Sequence, residues 1–176
     1  MSFKKILALL MSVLSIAACA LPFSGCGKIV GNASDKGAKS GAVRNLTENI
    51  SKNDSGSKAA DNEFKTAAAS FSADLFKYNY SNGKTTLVSP LSVLTALALV
   101  QNGAEGETLA QLERALGGLD RNTLNEYMRA YCDFLTESDE LKIANSVWTD
   151  SSVEAKQAFL QKAVDSYSAQ IFSAPL

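Results

Sequence analysis

Residues 85–117 read TTLVSPLSVLTALALVQNGAEGETLAQLERALG, and this stretch predicts two capped helices with a turn between them. Ser89 and Pro90 predict where the first helix begins, because a hydroxyl residue is a common helix cap and proline is tolerated at the first helical position. Leu, Val and Ala make up almost all of residues 91–100. A helix that is apolar on every side has no solvent face, so we expect this one, with Leu97 near its middle, to be surrounded by protein.

The second half of the stretch predicts how the first helix ends and where the next begins. Asn102 and Gly103 are typical of a left-handed C-terminal cap, so the first helix is expected to stop there. Thr108 and Gln111 have the spacing of a capping box, in which a hydroxyl and an amide satisfy each other's backbone donors. The second helix is therefore expected to begin at Thr108 and to run to the glycine pair at 117–118.

The residues on either side predict further helices and two extended segments. The expected elements are a helix over about 62–78 capped by Asp61 or Asn62, a short strand over 85–88, a helix from a capping box at 123–126, a strand over 141–149, a helix over 153–170 and an extended piece from 171. Asn145 lies on the apolar face of the strand and therefore needs a hydrogen-bonding partner. Because the sequence ends at Leu176 within a predicted sheet, we expect a fragment of a larger domain.

The composition excludes several classes of function. Lys and Arg number 17 against 18 Asp and Glu, and a net charge of -1 gives no reason to expect nucleic acid as a partner. The sequence has no histidine, which removes Ser-His-Asp and Cys-His catalytic systems and the commonest zinc ligand. Ser89 and Ser92 therefore lack a general base that could activate them. We expect no enzymatic activity, no catalytic residue, no metal site and no cofactor.

The three cysteines do not form a disulfide or zinc pattern, since none of them has CxxC spacing. Cys132 lies beside the apolar stripe of the third long helix. With no base nearby, we expect it to be a small, partly buried apolar residue rather than a nucleophile.

The amino terminus predicts export. Lys4 and Lys5 precede an apolar stretch without charge over residues 6–23, which is typical of a signal peptide. Cys19 and Cys26 both follow tripeptides that resemble the lipidation site of bacterial lipoproteins. Cys26 is the predicted site and Cys19 the alternative, because polar residues follow Cys26 whereas apolar residues follow Cys19. An uncleaved membrane span is the other interpretation, although the stretch barely reaches the required length of about 20 residues.

Residues 27–60 are rich in Gly, Ser, Asn, Lys and Asp, and they have almost no periodic apolar positions. Such a segment cannot bury enough surface to offset the entropy lost on ordering. The predicted organisation is a lipoprotein signal peptide over 1–26, a flexible tether over 27–60 and a folded part over 61–176. The expected location is the outer face of the cell membrane, through a lipid anchor, or the extracellular space.

The folded part resembles the serpin family near its amino end. The family pattern is approximately N-x-x-x-S-P-x-S, then a leucine, then G-A-x-G-x-T, and it is matched here by Ser89, Pro90, Ser92, Leu97, Gly103, Ala104, Gly106 and Thr108. Thr85 stands where the family has asparagine, which weakens one expected polar contact. The resemblance continues through Asn145 in LKIANSVWTD and through QIFSAPL, and it covers roughly residues 62–176.

The resemblance implies an α+β fold in which amino-terminal helices pack on part of a large mixed sheet, with the carboxy-terminal part missing from this sequence. It implies that the intact protein inhibits a serine-type or cysteine-type endopeptidase by inserting a cleaved reactive loop into that sheet. The reactive loop of the family lies in the carboxy-terminal part, so the 176 residues alone are not expected to inhibit. The alternative is a non-inhibitory, serpin-like surface lipoprotein that acts as a binding module.

Overall fold

The computed structural model of the chain describes residues 42–54, 56–137 and 140–176. The elements in chain order are β1 (Arg44–Asn45), α1 (Asn62–Asn79), α2 (Pro90–Gln101), α3 (Gly106–Ala115), α4 (Arg121–Thr136), β2 (Asn145–Asp150), α5 (Gln157–Tyr167) and β3 (Ala169–Ala174). Helices that pack against a small mixed sheet make an α+β architecture, as predicted. The predicted signal peptide, both lipidation candidates and the first part of the predicted tether lie outside the described residues.

Three strands form one sheet in the order β1-β3-β2. β2 and β3 run parallel, with a register that pairs Asn145 with Ala169 and Asp150 with Ala174. The connection between them is α5, as a parallel pair requires a crossover. β1 pairs antiparallel with the other side of β3, so the last strand in the sequence is the middle strand of the sheet.

The core lies where α2 packs against α1, α3, α4 and α5. α2 contributes Leu94, Leu97, Ala98 and Leu99, and α4 contributes Leu124, Tyr127 and Met128, all of them buried. Ser92, Ala96 and Val100, spaced four residues apart on α2, are exposed instead, Val100 by 48%. The expectation that α2 has no solvent face is therefore wrong in the described structure, because the helices packed on α2 leave this side open.

α2 starts and ends where the sequence predicts, but the geometry of its last turn differs from the prediction. Pro90 is its first residue and Gln101 its last. Asn102 is right-handed, and its N–H, together with those of Gly103 and Ala104, donates to the carbonyl three residues earlier. The last turn of the helix therefore tightens to a 3₁₀ form, and the predicted left-handed cap is wrong.

Both predicted capping boxes are also wrong, because the helices begin earlier than these motifs. α3 starts at Gly106, so Thr108 lies inside it, and α4 starts at Arg121 after Asp120. Asp120 Oδ1 accepts hydrogen bonds from the N–H groups of Asn122 and Thr123, at 3.0 and 3.1 Å. A carboxylate satisfies two orphan donors and favours the helix dipole, so it is the stronger cap.

The predicted elements around the sheet are confirmed with shorter bounds. α5 lies within the helix expected over 153–170, and β2 takes the second half of the strand expected over 141–149 and ends one residue after it. Residues 85–88, expected as a strand, have no strand partner among the described residues, and Leu87 is 95% exposed. α1 is capped as predicted, since Asp61 Oδ1 accepts from the Phe64 N–H at 3.1 Å.

Residues 43–60, which we name the strap, differ from the predicted tether. β1 belongs to this segment, and Thr47 within it is buried with 6% exposure. Farther along, the Asn53 N–H donates to Asp165 Oδ1 at 2.8 Å, and the Lys58 N–H donates to the Glu126 carbonyl at 3.2 Å. The prediction of a flexible tether over 27–60 is wrong for this part, because polar main-chain contacts hold it where its side chains offer little apolar surface.

The turn between α3 and α4 packs closely on α1 through a glycine. Gly117 has φ 102, and a Cβ placed on it would lie 2.7 Å from both the Cβ and the carbonyl oxygen of Ala67. A positive φ and this close approach both require glycine. The neighbouring Gly118 also has a positive φ of 86, but nothing lies within 4 Å of its Cβ position.

Candidate functional site

The predicted site residues fall into separate groups in the structure. Ser89, Pro90 and Ser92 lie at the amino end of α2, and Gly103 follows its carboxyl end. The 12 residues of α2 separate these ends by about 18 Å, at ~1.5 Å per residue. Asn145, the last of the predicted site residues in the sequence, begins β2. The motif therefore marks several structural positions rather than one cluster of side chains.

Ser89 and Ser92 contact each other directly. Their Oγ atoms lie 2.8 Å apart, and both residues are exposed. Ser89 is the residue before the helix, as predicted, but its hydroxyl makes no cap bond to a helix N–H. It pairs with the Ser92 hydroxyl instead, so the predicted capping role of its side chain is wrong.

Gly103 and Thr108 belong to the turn and the start of α3. Gly103 has no positive φ, and a Cβ on it would make ordinary contacts, 3.5 Å from the Val100 carbonyl oxygen and 3.9 Å from the Phe159 ring. Gln111, the predicted capping-box partner of Thr108, donates to Glu107 Oε1 at 3.0 Å. These positions shape the turn and bring no reactive group together.

Asn145 has the hydrogen-bonding partner that its place on an apolar face requires. Its Nδ2 donates to the main-chain carbonyl of Tyr167 at 2.9 Å. This bond joins the first residue of β2 to the last residue of α5. It therefore fixes the crossover helix to the strand that precedes it.

The side chain of Tyr167 continues this connection into the helices. Its hydroxyl donates to Asn125 Oδ1 at 2.6 Å, and Asn125 Nδ2 donates to Asn102 Oδ1 at 2.8 Å. Asn102 Nδ2 donates back to Asn125 Oδ1 at 3.0 Å. Asn102, Asn125, Asn145 and Tyr167, which we name the asparagine–tyrosine cluster, thus link α2, α4, β2 and α5.

The centre of this cluster is buried. Asn125 is 2% exposed and Tyr167 1% exposed. Burial raises the pKa of Tyr167 well above its ordinary range, so the hydroxyl stays protonated and remains a donor. A buried network whose members are satisfied fixes one arrangement of the elements that carry it.

Gln101 lies next to Asn102 and is fully buried. Its Oε1 and Nε2 atoms have no hydrogen-bonding partner among the described residues. An unpaired buried amide costs about 1–3 kcal/mol, so this position weakens the junction between α2 and its neighbours.

The sequence pattern identified Asn145 but not the other three residues of the cluster. Asn125 follows Leu124 and lies on the same side of α4 as Tyr127 and Met128, so it carried the same signal as Asn145: an amide within an apolar stripe. Asn102 is the C-terminal cap residue of α2, as predicted, and its side chain also takes part in the cluster. Its partners come from distant parts of the sequence, and periodicity within one helix does not identify them.

The arrangement contains no activated nucleophile. Burial raises the pKa of the Cys132 thiol, and the Asp133 carboxylate adds to this effect, so the reactive thiolate is disfavoured. Among the described residues no three Cys, Asp or Glu side chains are placed to hold a metal ion. No helix in the described ranges has both the length and the apolarity needed to cross a bilayer. What the geometry offers is a set of positions that hold helices to a sheet.

The structure is similar to solved structures of serpins. It matches the crystal structure of the thermophilic serpin tengpin in the native state with a TM-score of 0.69 and 39% sequence identity. The match covers 75% of this chain and 35% of tengpin. The chain is also 29% identical over 103 residues to serine proteinase inhibitor 1 of Variola virus, covering 55% of this chain and 27% of the relative.

A further relative is the leukocyte elastase inhibitor of Bos taurus, 29% identical over 115 residues, which are 63% of this chain and 30% of the relative. The chain thus spans about a third or less of the length of the proteins it matches. Residues 66–176 match the family model described as serpin, serine protease inhibitor. Because that match covers more than half of the sequence, the chain belongs to the serpin family.

Proposed function

We propose that the intact protein inhibits a serine-type or cysteine-type endopeptidase by inserting a cleaved reactive loop into its main sheet. The observation that carries this proposal is the family match over residues 66–176. The names of the Variola virus and Bos taurus relatives, a serine proteinase inhibitor and an elastase inhibitor, support the same activity. The proposed action is inhibition rather than catalysis, and the lack of histidine in these 176 residues agrees with it.

The sheet supports the mechanism in its arrangement. Within the described residues β2 pairs with β3 alone, so its other edge offers main-chain donors and acceptors to a further strand. Loop insertion would add strands to such a sheet, and the strain released on insertion would drive the distortion of the protease. The asparagine–tyrosine cluster would hold β2 and α5 in place while the sheet changes.

The test uses the intact protein and a panel of trypsin-like, chymotrypsin-like, subtilisin-like and papain-like proteases. We expect loss of activity for at least one protease and a complex that survives denaturing electrophoresis. The matched control is the same protease with its nucleophile chemically blocked, which cannot form the covalent complex. Cleavage of the intact protein without inhibition or complex would overturn the proposal and favour the alternative, a non-inhibitory surface lipoprotein that acts as a binding module.

We also propose that the protein is exported and held at the membrane by a lipid on Cys26, with Cys19 as the alternative site. The charged start, the apolar stretch over 6–23 and the polar residues after Cys26 support this proposal. Cys26→Ser should move the protein from the membrane fraction to the soluble fraction, whereas Cys19→Ser should not. Mass spectrometry of the mature amino terminus distinguishes the two sites, and an unmodified chain that still begins at residue 1 would contradict both.

A further inference from the structure

The strap closes the side of β3 that faces away from β2. The Leu46 N–H donates to the Ile171 carbonyl at 2.8 Å, and the Ile171 N–H donates to Thr47 Oγ1 at 3.2 Å. Both main-chain groups of Ile171 on this edge are therefore filled by the strap. An open edge strand presents these groups as a template for another chain.

Thr47 also ends the pairing between the strap and β3. Its hydroxyl accepts from the Ile171 N–H, where a continuing strand would place a main-chain carbonyl. The Asn45 Oδ1 atom accepts from both the N–H and the hydroxyl of Thr47, at 2.9 and 2.8 Å, and residues 46–49 turn away from the sheet. The edge is thus capped by a side chain, so β1 stays two residues long.

The rest of the strap is held on α4 and α5 by polar contacts. Asn53 is fixed on both sides of its main chain, because its N–H donates to Asp165 Oδ1 and its carbonyl accepts from Arg129 Nη1, each at 2.8 Å. Lys52 Nζ lies 2.8 Å from Asp133 Oδ1. These contacts are polar, and the partners of Asn53 lie at the edge of the core, since Asp165 is 4% exposed. The helices are held by buried apolar side chains, so separating the strap exposes less apolar surface than unfolding a helix. The strap is therefore the part of this edge that can separate while the helical core stays folded.

We propose that the strap is a detachable guard of the β3 edge, and that its release allows the edge to pair with a second copy of this chain. The strap pairs antiparallel with β3. Two β3 edges related by a two-fold axis also meet antiparallel, so a second copy can present a strand in the direction that β1 occupies. Main-chain pairing of this kind requires no particular side chain, which makes the same edge on another copy a suitable occupant.

The test compares Asn53→Pro with Asn53→Ala in the intact protein. Proline removes the N–H that bonds to Asp165 and also fixes φ, whereas alanine keeps the N–H, so both effects of proline loosen the main chain of the strap and alanine controls for loss of the side chain. Thr47→Val removes the acceptor of the Ile171 N–H, and Thr66→Val on the exposed side of α1 is its control. In Asn53→Pro and Thr47→Val we expect amide exchange at Ile171 to be faster by about tenfold or more, and sedimentation to show a monomer–dimer equilibrium. The controls should remain monomeric.

A peptide with the strap sequence VRNLTENISKND, residues 43–54, should dissociate the dimer of Asn53→Pro, and a scrambled peptide should not. Faster exchange at Ile171 without a dimer at any concentration would overturn the proposal, as would a dimer that the strap peptide leaves intact. If the variants fail to fold, amide hydrogen exchange in the unaltered protein tests the proposal. The Ile171 amide should then exchange at the same rate as the amides of Leu46 and Asn53. An Ile171 amide that stays protected while those two exchange freely would show that the strap is not the guard.

Discussion

Asn125 shows at the level of a single residue how a polar side chain is accommodated in this core. Its amide is 2% exposed and bonds to Asn102 and Tyr167, so both ends of the group are satisfied. Gln101 is equally buried, and its side-chain atoms lack partners among the described residues. The free energy of unfolding therefore depends on which buried amides find a partner, because an unpaired one costs about 1–3 kcal/mol.

Leu97→Asp should prevent the intact protein from folding. Leu97 is 8% exposed within the helix that the other helices surround, so a carboxylate there would be buried without a partner. The cost is at least several kcal/mol, against a total stability of about 5–15 kcal/mol. Leu97→Met is the control, since it keeps an apolar side chain of similar volume at the same position. Circular dichroism and a thermal melt measure the outcome, and equal melting temperatures for both variants would show that Leu97 is not in the core.

At the level of elements, the structure shows which features of the sequence are informative. Helices α1 and α4 and strand β2 were predictable within a few residues, because their apolar periodicity records burial on one side. α2 was predictable from the Ser89-Pro90 start and the apolar run that follows it. The starts of α3 and α4 were not, since Glu105 and Asp120, the residues before these helices, each lie three positions before the predicted capping boxes. The strap was missed for another reason: it is held largely through main-chain atoms, and its polar composition, in which Asn and Ser are frequent, carries no periodic signal.

The same limit applies to the candidate site. The positions Ser89, Pro90 and Asn145 followed from local patterns, and the structure gives each a local explanation. The bond from Tyr167 to Asn125 joins residues 42 positions apart, and the bonds between Asn125 and Asn102 join residues 23 positions apart. Only the packing of α5 on α4 brings these residues together, and no spacing within one element encodes that contact.

Gly117→Ala should destabilise the protein more than Gly118→Ala. Both glycines have positive φ, so alanine costs about 1–2 kcal/mol at either position. At 117 the new Cβ would also lie 2.7 Å from Ala67, which forces the turn away from α1 and adds about 1–3 kcal/mol. Urea denaturation of the two variants of the intact protein measures the difference. Identical midpoints would mean that the α3–α4 turn does not press on α1.

Asp61 should make the start of α1 sensitive to acid. Hydrogen bonds from the Tyr127 hydroxyl and the Phe64 N–H hold the pKa of Asp61 at about 2, below its ordinary value of 3.8. The unfolded chain binds this proton more readily, so the stabilising contribution is complete above about pH 4 and is lost as the pH falls toward about 2.

Asp61→Asn keeps an acceptor but cannot titrate, and its free energy of unfolding should decline less steeply between pH 4 and pH 2 than that of the unaltered protein. Asp74→Asn, an exposed acid on the same helix, is the control. Urea titrations at closely spaced pH values give the slopes. A slope unchanged in Asp61→Asn would assign the acid sensitivity to other carboxyl groups.

At the level of the whole molecule, the described surface retains large apolar side chains that the family relationship explains. Leu87 is 95% exposed, Phe134 69%, Trp148 51% and Val100 48%. Trp148 stacks on Phe172 with ring centroids 4.7 Å apart, so the two aromatic rings form an apolar patch on one face of the sheet. The chain spans 35% of tengpin. If the intact protein is the serpin proposed above, we expect its further parts to cover these surfaces.

The 176-residue chain expressed alone should therefore bind a hydrophobic dye, self-associate and inhibit no protease. Exposed apolar area promotes association, and loosely packed states bind such dyes. The intact protein is the matched control, in which iodide should quench Trp148 fluorescence less because its indole is covered. The measurements are dye fluorescence, sedimentation at several concentrations and residual activity of the same protease panel. A 176-residue chain that is monomeric and binds no dye would mean that its core is stable without a cover. An inhibitory complex formed by that chain would place the protease-reactive segment within these residues.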